Sequence, residues 1–173
     1  MSSQLRVDKI LPVDGAPTSG GGGIIQVVQT VSKEHEEQSG GGVSSFNDIP
    51  GMSVSITPKF STSKILIRYA VNIGQNNHSG NGFIRVLKDG NTMSDFLDTE
   101  GTVANGDVFH RLGSQYEIGN YVVEFLDTAG GTSAITYKLQ WSIESGRTVY
   151  LNRRGGSAEY GTVSTITVME VSA

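Results

Sequence analysis

The stretch "AITYKLQWSIE", residues 134–144, decides the fold. Ile135, Tyr137, Leu139, Trp141 and Ile143 fall on one side of an extended chain, with Thr136, Lys138, Gln140, Ser142 and Glu144 on the other. A helix would scatter these apolar residues around its circumference, whereas a period of two lays them along one face of a half-buried strand. The stretch is therefore read as an antiparallel strand with one face in a core.

Working outward, the same period recurs. "KILIRYAVNIG" sets Ile65, Ile67, Tyr69, Val71 and Ile73 against Arg68 and Asn72, and "MSVSITP" sets Val54 and Ile56 against serines. "IIQVVQTV", "FIRVLKDGNT", "YVVEFLDT", "RTVYLNR" and "STITVMEV" bring the total to about eight or nine strands, with no convincing amphipathic helix among them. Asp89-Gly90 predicts a type I′ hairpin turn, because both central residues need positive φ. The polar, acidic segment 32–42, "SKEHEEQSGGG", reads as an exposed loop. Tyr69, Tyr137 and Trp141 are expected in the core.

This count and spacing leave a closed barrel or a two-sheet antiparallel β-sandwich of jelly-roll type. The sandwich is preferred because some strands are apolar on both faces. Ile84 and Val86 oppose Phe83 and Leu87, while Val122 and Leu126 oppose Tyr121, Val123 and Phe125. An apolar face outside the core must meet something else, and another copy of the chain is the expected partner.

Residues 1–23 differ from the rest. "LRVDKILPVDGAP" alternates briefly before Pro12, Gly15 and Pro17 break any regular element, and four glycines follow at 20–23. It reads as an extended N-terminal arm on a loose tether, with a β-sandwich head over 24–173. The net charge of −4 excludes a typical nucleic-acid binder, and the chain has no run of 18 apolar residues for a membrane span. Without cysteine it has neither disulfides nor thiolate metal sites. The amino terminus lacks a signal-peptide core, so synthesis in the cytoplasm is expected.

No catalytic motif stands out, and the chain reads as a non-enzyme with no cofactor, metal or catalytic residues. The glycine run lacks the Lys-Ser or Lys-Thr of a phosphate loop and precedes a strand. His35, His78 and His110 lack partners at ligand spacing and read as surface or loop histidines. Asp95, Asp98 and Glu100 form the least implausible carboxylate pair of glycosidase kind. Phe96, Phe109, Tyr116 and Tyr160 lie in or near loops, where rings either anchor the loop or stack on a partner. The segments 76–82 and 153–157 read equally as plain connectors or as polar recognition loops, the latter drawing on Asn76, Asn77, His78, Asn81, Arg153, Arg154 and Tyr160.

The blocks "LRVDKILPVDGAPTSGGGGIIQVVQT", "SITPKFSTSKILIRYAVNIG", "TSAITYKLQWSIESGRTVYLNRR" and "GTVSTITVMEV" resemble small bacteriophage virion proteins, particularly tail-fibre and fibre-like proteins of phages of aquatic bacteria. The resemblance implies a homotrimeric jelly-roll head in the virion. An N-terminal arm would bind another tail or capsid protein, and exposed loops would meet a host-surface glycan or protein. Leu5, Val7, Ile10 and Leu11 would be the arm's apolar anchors, and Arg6 and Lys9 its polar ones. The chain has no repetitive shaft, which suits a short tail fibre or knob, or alternatively a capsid decoration protein. A glycan depolymerase is the remote enzymatic alternative.

Overall fold

In the computed structural model, residues 23–76, 79–98, 100–102 and 104–172 are described. The arm residues Leu5, Arg6, Val7, Lys9, Ile10 and Leu11, and the loop residues Asn77 and His78, lie outside them. The described residues form eleven strands in two antiparallel sheets, and their only helical element is a single 3-10 turn at Ser94–Phe96.

One sheet, sheet A, contains β1 (Ile24–Ser32), β2 (Glu37–Ser39), β4 (Lys64–Gln75), β8 (Gly119–Thr128), β10 (Thr148–Leu151) and β11 (Ser164–Val171). Its long strands run in the order β1, β11, β4, β8; β10 extends the β11 side of β4 and pairs in turn with β2. The other, sheet B, orders β3 (Gly42–Ile56), β9 (Ile135–Ile143) and β5 (Gly82–Lys88), with β6 (Asn91–Thr92) and β7 (Val108–His110) both pairing with β5. The two sheets face each other as a β-sandwich.

Between them lies one core. The alternating residues of β4, Ile65 to Ile73, and those of β9, Ile135 to Ile143, are buried along with Ile84, Val86, Ile166 and Val168. Tyr69, Tyr137 and Trp141 are at most 1% exposed, as the alternation requires. Burying each such side chain contributes about 1.5–3 kcal/mol, so β4 and β9 alone account for a large part of the folding drive. Asp89 and Gly90 both have positive φ, 50° and 81°, and close the two-residue β5–β6 hairpin.

The structure departs from the sequence reading at three places. Segment 32–42 is not wholly loop, because Glu37–Ser39 pairs with β10. β3 starts ten residues before Met52, with one register shift between Gly42 and Asn47 and another across its Pro50-Gly51 corner. His110 is not a surface histidine: it is fully buried in β7. Its ring lies between Gln75, whose Nε2 donates to Nδ1 at 2.9 Å, and the Ser142 carbonyl, which accepts from Nε2 at 3.2 Å. Desolvation lowers its pKa from 6.5 to about 4, so the ring is neutral.

Candidate functional site

At the far end of β4 the chain makes a group of loops that hold one another. Asn76 is clamped to β10: its Oδ1 accepts the Thr148 amide at 2.9 Å, and its own amide donates to the Thr148 carbonyl at 3.0 Å. Ser79, at φ 69°, donates its amide to the Leu112 carbonyl, and Asn81 exchanges backbone and side-chain hydrogen bonds with Glu144. Gly155 lies directly against the Gln75 carbonyl and Gly74 against the Arg153 carbonyl, contacts too close for any Cβ. These approaches hold segment 153–156 against the end of β4.

Asn152 anchors the same end from within. It is fully buried at φ 60°, donates Nδ2 to the carbonyls of Ser32 and Glu34 at 2.9 and 3.0 Å, and accepts the Ser164 hydroxyl at 2.6 Å. The end of β1 and the start of β11 are thereby joined through one side chain.

Of the residues singled out from the sequence, Arg153 is also engaged internally. Its guanidinium lies 3.7 Å over the Tyr150 ring and pairs with Glu37 at 3.0 Å. Arg154 is packed among aromatics with its side chain only 22% exposed, 4.0 Å over the Tyr160 ring and 5.5 Å from that of Tyr116, with Glu159 at 3.8 Å. Tyr116 and Tyr160 are 62% and 57% exposed, large values for aromatic rings beside a guanidinium. Gly156 packs on the Tyr116 ring and donates its amide to the Gln115 carbonyl, joining the 111–118 loop to the 152–162 loop. Tyr116 belongs to this site although the sequence singled it out only as a loop aromatic; its signal was a ring among glycine and polar residues in "GSQYEIGN".

The chain's other end is built differently. Gly23, where the glycine tether meets β1, exchanges hydrogen bonds with Ser172 just past β11. Glu170 is buried nearby. Its burial opposes ionisation, but hydrogen bonds from Gln26 and the amides of Phe60 and Lys59, together with the neighbouring Ser63 hydroxyl, outweigh this and hold its carboxyl below the usual value. A cleft of about 330 Å³ at this end is lined by Lys88 to Phe96 residues and Asp127. Two of its carboxylates are already engaged: Asp127 pairs with Lys88 and accepts the Tyr137 hydroxyl at 2.7 Å, and Asp89 accepts the Thr136 amide at 2.8 Å. Asp95 lines the cleft but Asp98 and Glu100 do not, so the three acids considered for glycosidase chemistry are not gathered there.

No protein-family model matches the chain, and no curated protein matches it significantly.

Proposed function

We propose that this chain is a structural and adhesive protein of a bacteriophage virion: a short tail fibre or fibre knob, held to the particle by residues 1–23 and presenting its loops to the host surface. The observation that carries this reading is polarity. Gly23 and the Arg154–Tyr160–Tyr116 loops lie at opposite ends of the sandwich, separated by the nine residues of β1, about 30 Å at strand spacing. A tethered end and an aromatic end facing away from it suit attachment on one side and recognition on the other.

Strand order supports a jelly-roll head. The chain passes from β1 to β3 across the sheets, back to β4, over to β5, and later from β8 to β9 and to β11, giving β1–β11–β4–β8 opposite β3–β9–β5. Two Greek keys wrapped into a double sheet would give such an alternation. A homotrimer would make the mechanism multivalent, since three weak sites per knob convert modest affinity into firm attachment. Tyr116 and Tyr160 supply rigid contact area, and Arg154 supplies a cation and donors, a combination that suits a surface glycan.

Deletion of residues 1–20 tests the attachment half of this reading. The truncated protein is expected to fold and assemble but not to enter virions, and normal incorporation would contradict it.

A further inference from the structure

The outer face of sheet A is ordered in rows. Val27, Met169, Leu66 and Leu126 are successive cross-strand partners and form one apolar line across β1, β11, β4 and β8. Two residues along, Gln29, Thr167, Arg68 and Glu124 form a polar line, tied pairwise by a 2.8 Å hydrogen bond from Gln29 to Thr167 and a 3.4 Å ion pair from Arg68 to Glu124. Two further along, Val31, Thr165, Ala70 and Val122 make a line that is apolar at both edges. The edge members are open to solvent, Val27 and Leu126 at 55%, Val31 and Val122 at 45%. On the β4–β8 side polar pairs bound the band, Lys64 with Thr128 at one end and Asn72 with Asn120 at the other, while across β11 and β1 the Lys64 row continues into Val171 and the exposed Ile24.

We propose that copies of this chain associate through this face, around a rotation axis running along its strands. The inference rests on the self-assembly contained in the proposed function and says where the subunits meet. Rotation about such an axis keeps each row at its own height and brings the β1 side of one copy to the β8 side of the next. Val27 then meets Leu126, Val31 meets Val122, and the Gln29 amide meets the Glu124 carboxylate. Apolar rows meet apolar rows and no like charges oppose each other, so the face is complementary to itself. An axis across the strands through the polar row would instead set Glu124 against Glu124. Four strands at about 4.8 Å and eight residues at about 3.3 Å give a face of about 500 Å² in projection, so two such faces reach the order of 1,000 Å² that a stable association needs.

The chain lacks cysteine, which makes crosslinking a clean test. Within one chain, Val27 and Leu126 stand three strand spacings apart, about 14 Å, beyond the reach of a disulfide. The full-length double variant Val27→Cys/Leu126→Cys, oxidised and run without reductant, is expected to give a ladder ending at the assembled species, while Phe109→Cys, on β7 of the other sheet, gives none. Leu126→Asp is expected to yield monomers by light scattering with an unchanged circular dichroism spectrum. An assembled wild type that neither crosslinks at these positions nor dissociates with Leu126→Asp overturns the surface and leaves self-assembly standing. A monomeric wild type, with the face covered by residues 1–22 or by a foreign protein, overturns both.

Discussion

The Arg154 guanidinium lies 4.0 Å above the ring of Tyr160, and both belong to a loop held in place by Gly155 against the end of β4. A cation so placed is part of a prepared surface, because the ring orients it and the Arg153–Gly161 bridge closes the loop that carries both residues.

Removing that surface is expected to weaken host binding without unfolding the head. Tyr160→Ala and Arg154→Ala should each lower the purified protein's ability to compete with phage adsorption by about tenfold or more, the range of a modest hot spot. The melting temperature of Tyr160→Ala should change little, since Tyr160 is largely exposed, whereas Arg154→Ala should lower it modestly, since the Arg154 side chain is only 22% exposed. Undiminished competition by both variants would remove this loop from the receptor contact.

Asn152 is expected to matter for stability instead. Asn152→Ala leaves the Ser32 and Glu34 carbonyls and the Ser164 hydroxyl without their partner and puts a Cβ-bearing residue with no local hydrogen bond at φ 60°. A loss of about 2–4 kcal/mol follows from the buried groups and the left-handed backbone together. Asn152→Gly should recover up to about 1 kcal/mol of it, measurable by urea denaturation.

A buried and a half-buried group give opposite pH dependences. His110 titrates near 4 when folded and near 6.5 when unfolded, so the unfolded chain binds more protons between those values and stability rises with pH, by about 3 kcal/mol in all. Asp107 behaves in the reverse sense. Desolvation raises its carboxyl to about 7, against the opposing effects of the Val86 amide, Arg85 and Tyr69, so the folded chain holds the extra proton and stability falls by about 4 kcal/mol from pH 3.8 to 7. From about pH 4 to 6.5 the two contributions nearly cancel. His110→Gln should therefore make the protein lose stability as pH rises through this window, and Asp107→Asn should make it gain. Denaturation curves at pH 4.5, 5.5 and 6.5 check both signs.

Much of the sandwich was legible because burial alternates over residues 64–73 of β4 and 135–141 of β9, and Asp89-Gly90 can close only a narrow set of turns. β2 was not, because "EQS" carries no apolar residue and owes its place to backbone pairing with β10. The first ten residues of β3 were hidden for a related reason: their apolar residues Val43, Phe46 and Ile49 fall three apart rather than two, before the Pro50-Gly51 corner. His110 could not be placed because its partners, Gln75 and Ser142, are 35 and 32 residues away. Glu170 did leave a mark, a carboxylate at the inward position that follows Ile166 and Val168, but the amides that satisfy it come from another loop. The loop site was partly visible in Arg154 and Tyr160, whereas its third member, Tyr116, joins through Gly156 from a different part of the chain.

Cryo-electron microscopy of the intact virion would show where the chain sits and which of its ends faces outward. A threefold knob at the tail is expected, with Gly23 turned toward the particle and the Tyr116, Arg154 and Tyr160 loops turned outward. A knob with those loops buried against the particle, or many copies spread across the capsid as a decoration protein, would contradict the proposed function.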